Sequence, residues 1–272
     1  DYGSGGGFVG ALHAVIDRIA PQARVVDLDH AIPPQDVVLG ALRLESMMSY
    51  CAEGVHVGVV DPGVGGERRA VAVKAGGSIF VGPDNGLLIF AAEAVGGCEQ
   101  AVELTDTRFL LPDPARTFDG RDVFAPVAAH LASGVAFAEL GPAVPPEALA
   151  RLVRPGPRWL SERKVELEIV QVDHFGNMQL SGGSDVTKKL ALAEATATGG
   201  GNAPAPLIAV SLGSMAARRV PLGKTFAEVP VGSPVILVDS DSRVAISVNC
   251  GRADELFQAV RGDRLVLEAT SG

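Results

Sequence analysis

The chain has 272 residues, 47% of them hydrophobic and 20% charged, with a formal net charge of −9. That composition suits one large or two modest folded domains, and the acidic balance argues against a nucleic-acid surface, which needs clustered Lys and Arg. No apolar run is long enough to span a bilayer, and no basic, apolar leader opens the chain. Cys51, Cys98 and Cys250 are odd in number and far apart, so they suggest neither a metal site nor a disulfide framework. A cytoplasmic protein with reduced thiols and no membrane or nucleic-acid partner is the expectation.

The chain opens on a Gly-rich loop, Asp1-Tyr2-Gly3-Ser4-Gly5-Gly6-Gly7. Such loops usually follow a strand, so a strand is expected to precede Asp1. Val9, Leu12, Val15, Ile16 and Ile19 recur at helical spacing and predict a helix over 8–20, which Pro21 stops. Residues 24–28 read as a short buried strand, and Asp36 as the cap of a second helix carrying Val38, Leu39, Leu42 and Leu44. Residues 55–60 form a continuous apolar strand ended by Asp61-Pro62-Gly63. Strands follow at 70–73 and 79–81, and helices at 85–94 and 123–131. This alternation predicts an α/β N-terminal domain with a largely parallel sheet.

Pro155-Gly156-Pro157 marks the expected boundary, giving an N-terminal domain over 1–156 and a C-terminal domain over 157–272. Beyond it, strands are expected at 165–172, 235–238, 244–248 and 265–268, with one helix near 186–195. Residues 196–206, rich in Ala, Thr, Gly and Pro, read as a mobile loop. A smaller all-β barrel is the expected C-terminal fold.

Four polar segments fall where strands end, the place at which open α/β sheets collect ligands. They are the Asp1 loop, the segment 61–69, Pro83-Asp84-Asn85-Gly86, and Thr117-Phe118-Asp119-Gly120-Arg121-Asp122. Each also has a plain structural reading. Asp61-Pro-Gly and Asp84-Asn-Gly are turn chemistry, Asn85 is a possible helix cap, and Asp122 suits a helix N-terminus. The Asp1 loop lacks the lysine of a phosphate-binding loop. In the second half, Asp173-His174-Phe175-Gly176-Asn177 follows a strand, where His174 reads as a structural hydrogen-bonding group. Ser240 and Asn249-Cys250-Gly251 read as strand-to-turn residues. The pattern supports a site rich in carboxylates and arginines without naming its ligand.

The ordered set of motifs is more specific. Asp1-Tyr2-Gly3, Asp29-His30-Ala31-Ile32-Pro33, Val59-Val60-Asp61-Pro62-Gly63-Val64-Gly65 with Glu67-Arg68-Arg69, Gly82-Pro83-Asp84-Asn85-Gly86, Thr117-Phe118-Asp119-Gly120-Arg121-Asp122 and Val172-Asp173-His174-Phe175-Gly176-Asn177 occur in sequence. Together, over residues 1 to about 262, they resemble the S-adenosylmethionine hydroxide adenosyltransferases, relatives of the fluorinases and chlorinases. The resemblance implies the two-domain fold above and a homotrimer whose sites lie between the N-terminal domain of one subunit and the C-terminal domain of a neighbour. It implies hydrolysis of S-adenosylmethionine to adenosine and methionine, with neither metal nor cofactor. Asp61, Arg68 and Asp119 would surround the attacking water. Asp1 would hold the ribose, Asp173 and Ser240 the methionine end, and Phe175 and Phe226 the adenosyl group. Asn177 and the Asn249-Cys250 backbone would meet polar ligand edges, and Asn85 and Phe118 would complete the substrate site.

Asp61 bears on the choice between water and halide. A carboxylate about 4 Å from a chloride repels it by roughly 4 kcal/mol at an effective dielectric near 20. Arg68, expected to pair with Asp61, offsets part of that. Against the pattern that the resemblance implies, Asp119 stands where the hydroxide enzymes carry His and Gly6-Gly7 where acidic residues are common; Gln35 stands where a halogenase stacks an aromatic. The alternatives to hydrolysis are therefore halide transfer, disfavoured by Asp61, and a weakly active trimer that binds S-adenosylmethionine or adenosine.

Overall fold

A computed structural model describes residues 1–198 and 205–270, without the side chains of 195–198. The chain divides into two compact units at Val153–Arg154.

In the first unit the elements run α1 (Phe8–Ile19), α2 (Val37–Met47), β1 (Val55–Val57), β2 (Ala70–Ala75), β3 (Ser78–Pro83), α3 (Ile89–Ala94), β4 (Gln100–Glu103), α4 (Ala125–Ala132) and β5 (Ala143–Val144). The Asp36 carboxylate caps α2 by accepting from the Leu39 N–H at 3.0 Å. The five strands form one sheet in the order β1-β3-β2-β4-β5. Only β1 and β3 are parallel; the three other pairings are antiparallel. The sheet is therefore mixed, where the sequence suggested a largely parallel one. The cause is local: Gly76 and Gly77, at φ 49° and 82°, close a two-residue hairpin that returns β3 directly against β2. Residues 24–28 carry no regular secondary structure and join no strand pairing, and Val26 is 61% exposed, so the buried strand expected there does not form. Val81, Val102 and Ala72 of the sheet pack with Phe124, Val127 and Leu131 in one core.

The second unit contains β6 (Arg158–Ser161), β7 (Lys164–Val172), β8 (Met178–Gly183), α5 (Ser184–Thr198), β9 (Leu207–Leu212), β10 (Arg218–Pro221), β11 (Pro234–Val238), β12 (Arg243–Val248), α6 (Ala253–Phe257) and β13 (Arg264–Ala269). The path β10-β9-β13-β7-β8-β12-β11 is antiparallel throughout, with β6 added on β7. A bridge between Leu222 and Ile236 draws its two ends together, giving a nearly closed, barrel-like sheet. Strand β7 shows why it has an inside: Val165, Leu167 and Ile169 are fully buried, while Lys164, Glu166 and Glu168 alternate with them. Of the expected loop over 196–206, helix α5 takes the first residues through Thr198, and 199–204 lie outside the described residues.

Candidate active site

Beyond β1 the chain enters a tight turn. The Val64 N–H donates to the Asp61 carbonyl at 3.3 Å and the Gly66 N–H to the Gly63 carbonyl at 3.0 Å. Gly65 sits at φ 74°, and a Cβ there would fall 2.3 Å from the Arg116 carbonyl oxygen. The turn brings Arg68 back onto Asp61, to whose two carboxylate oxygens its Nε donates at 3.0 and 3.1 Å. Arg68 Nη2 donates to both Asp61 and Asp119. One guanidinium thus bridges two carboxylates separated by 58 positions in sequence. All three side chains are 5–13% exposed. Burial alone would lower the Arg68 pKa; the two carboxylates outweigh it and raise it. With both acids ionised the cluster carries a formal charge of −1.

Asp119 immediately precedes a π-helical turn, Gly120–Phe124, which continues into α4. Such turns frequently mark functional positions. Phe124 lies 5.5 Å from the Arg68 guanidinium, supporting it from below. Asp122, 2% exposed, accepts from Arg121 Nε at 2.6 Å and from the Ala115 N–H at 2.8 Å. Burial raises its pKa, but these donors more than compensate and leave it lowered. Asp122 therefore shapes the loop that delivers Asp119.

The neighbouring polar segments serve this frame. Asn85 donates to the Val60 carbonyl at 2.9 Å and accepts from the Leu87 N–H at 3.2 Å, so its amide braces the backbone next to Asp61. Asp84 binds Arg69 at 2.6 and 2.8 Å and the Ala150 N–H at 2.8 Å. Asp1 accepts from the Gln35 N–H at 3.0 Å, and the Gly3 N–H donates to the His30 carbonyl at 2.8 Å, which pins the opening loop. Phe118 meets Tyr2 and Phe8 edge-on, with centroids at 5.4 and 5.3 Å, while Tyr2 and Phe8 stack at 5.6 Å. The sequence reading singled out neither Tyr2 nor Phe8 for the site. Only the aromatic residues flanking the glycine run hinted at them, because their contact with Phe118 spans more than a hundred positions.

In the second unit, Asp173 organises the β7–β8 connection. Its Oδ1 accepts from the Phe175 and Asn177 N–H groups at 2.8 and 2.9 Å, and its Oδ2 from the Asn177 amide at 2.7 Å. This leaves Phe175 72% exposed at the loop tip. Strand β12 runs antiparallel to β8, with Ile246 opposite Met178, so it ends beside that loop. Asn249 there donates to the Val229 carbonyl at 2.7 Å, which draws the Phe226 turn to the same end. Cys250 follows at φ 54°, exposed. Asp173, Phe175, Asn177, Phe226, Asn249 and Cys250 therefore share one end of the barrel. Ser240 lies in the turn between β11 and β12, whose flanking Asp239 and Asp241 both accept from Gln179 Nε2, at 2.7 and 3.0 Å. His174 offers its carbonyl to Arg252 at 2.9 Å, a structural contact.

Comparison with known proteins fits both halves. Residues 1–141 match the SAM hydroxide adenosyltransferase N-terminal domain and residues 167–266 the C-terminal domain of the same family. A protein from Salinispora arenicola named (R)-S-adenosyl-L-methionine hydrolase is 44% identical, over 99% of this chain and 95% of that one. One of the same name from Thermus thermophilus is 40% identical, over 96% and 94%. The crystal structure of an uncharacterized conserved protein from Thermotoga maritima superposes with a TM-score of 0.87 at 31% identity, covering 98% of this chain and 97% of that one. The chain belongs to the SAM hydroxide adenosyltransferase family.

Proposed function

We propose that this protein hydrolyses S-adenosylmethionine to adenosine and methionine, with water attacking the ribose 5′ carbon in line with the departing sulfur. The observation that carries the reading is the pair of carboxylates, Asp61 and Asp119, held on the single cation Arg68. The sulfonium is already an activated leaving group, so the protein must mainly orient the nucleophile and take a proton from it. A cluster of net negative charge suits a neutral water that ends as an alcohol, and it opposes the entry of a halide anion. Asp61 is the assigned proton acceptor. Arg68 holds both acids in place, and Asp119 occupies the third position around the water. Asn85 is assigned to bracing Asp61 and Phe118 to walling the site. Asp1 is assigned to the ribose hydroxyls, Asp173 and Ser240 to the methionine end, Phe175 and Phe226 to the adenosyl faces, and Asn177, Asn249 and Cys250 to polar ligand edges.

Within this reading the protein acts as a homotrimer, each site combining the first unit of one subunit with the second unit of a neighbour. It is assigned to the cytoplasm and requires no metal or organic cofactor. Among the described residues, no helix is long and apolar enough to cross a membrane.

The test is turnover in oxygen-18 water. Label in the 5′-hydroxyl of adenosine supports direct attack at that carbon, whereas unlabelled adenosine or no adenosine refutes it. The relatives' name specifies the R configuration at sulfur, so both epimers belong in that assay.

A further inference from the structure

Tyr2, on the opening loop, packs against Gly120, the residue after Asp119, and feels the charges of Asp61, Asp119 and Arg68. A Cβ built on Gly120, the residue after Asp119, would lie only 1.9 Å from the Tyr2 hydroxyl oxygen and 2.9 Å from the carbon that bears it. Gly120 does not adopt a positive φ, so its backbone does not call for glycine; the space under the Tyr2 hydroxyl does. The ring is fixed by two partners, Phe8 stacked on it at 5.6 Å and Phe118 edge-on at 5.4 Å, so the hydroxyl has little freedom to swing away. No hydrogen bond to another described residue engages that hydroxyl. Burial first, then the charges of Asp61 and Asp119, raise its pKa, with Arg68 opposing. It stays a neutral phenol at physiological pH, able both to accept and to donate.

We propose that the Tyr2 hydroxyl is a positioning group for the nucleophile, accepting a hydrogen bond from one proton of the attacking water while Asp61 receives the other. The inference rests on the hydrolytic reading above. In the displacement the water oxygen forms a bond to the 5′ carbon as the carbon–sulfur bond breaks, and that electron pair leaves on sulfur as a neutral thioether. The oxygen then sheds one proton to Asp61 and retains the one directed at Tyr2 as the product alcohol. Two acceptors on the two hydrogens turn the oxygen's lone-pair side toward the carbon. In this chain Tyr2 thereby supplies the neutral polar partner that the acidic pair lacks, Asp119 and Asp61 both being carboxylates.

The experiment is steady-state kinetics of Tyr2→Phe, which keeps the ring and its two aromatic contacts. The expected result is a fall in kcat of about tenfold, the scale of one lost hydrogen bond, with KM within about twofold of wild type. The thermal unfolding midpoint should not move. Gly120→Ala, which pushes a methyl into the hydroxyl, is expected to lower kcat in the same sense. An unchanged kcat in Tyr2→Phe with an active wild type overturns the Tyr2 assignment alone. A loss of activity that comes with a raised KM and a lowered unfolding midpoint also overturns it, since packing would then explain the effect. A wild-type protein that forms no adenosine overturns the hydrolytic reading and this inference together.

Discussion

Replacing Arg68 by methionine keeps the aliphatic stem over Phe124 but removes the charge that holds Asp61 and Asp119 together. Both acids bond the same Nη2, so their nearest oxygens lie within two hydrogen-bond lengths, no more than about 5 Å. At an effective dielectric near 20, two unit charges at that separation repel by about 3 kcal/mol. Side-chain exposures of 13% for Arg68, 5% for Asp61 and 13% for Asp119 leave little water to screen them. The same scale applies to buried pairs stripped of one partner. Urea unfolding at neutral pH, followed by circular dichroism, should therefore show Arg68→Met less stable than wild type by about 3 kcal/mol. Adding Asp119→Asn should restore most of the loss, since one of the two like charges is then gone. A single variant within about 1 kcal/mol of wild type would refute the electrostatic reasoning. So would a double variant no more stable than the single one.

Three further outcomes follow from the same geometry. Asp61→Asn should lower kcat for adenosine formation by at least about a hundredfold, as removal of a general base does; chromatographic rates within tenfold of wild type would remove Asp61 from that role. The Asp122 pKa is lowered in the folded state, so its stabilising contribution is full above the ordinary carboxylate range and is lost as pH falls through the folded value. Unfolding midpoints measured from pH 7 to pH 3 should thus fall more steeply for wild type than for Asp122→Asn, and parallel curves would contradict this. Asp173→Ala removes the acceptor of three hydrogen bonds in the Phe175 loop, so KM for S-adenosylmethionine should rise by about tenfold or more, with stability lowered by roughly 1 to 3 kcal/mol.

What the sequence made legible was local. The period of α1, the Asp36 cap of α2 and the alternation in β7 each depend on neighbours a few residues away, and each forms where its pattern lies. Strand pairing is less local. The hairpin signal Gly76-Gly77 was present between two apolar runs, yet the alternation of strands and helices suggested parallel order. Residues 24–28 have a strand's composition, but no described strand pairs with them, and composition alone makes no ladder. Strands β4, β5, β6, β8, β9 and β10 escaped notice: β4, β5, β6 and β10 are short, β8 carries glycine and polar residues, and β9 directly follows the segment read as a loop. Helix α3 begins at Ile89 and not at Asn85, whose side chain is drawn to the Val60 carbonyl. In the site, pairing of Arg68 with Asp61 was readable from seven residues of turn. The simultaneous grip on Asp119, and the Tyr2 ring above Gly120, depend on contacts over 51 positions and more.

The most direct measurement of the central claim is product analysis after incubating S-adenosylmethionine with the protein in water and again in saturating chloride. A carboxylate pair sharing one guanidinium predicts adenosine and methionine in both, at the same rate. Appearance of 5′-chloro-5′-deoxyadenosine in proportion to chloride would contradict it.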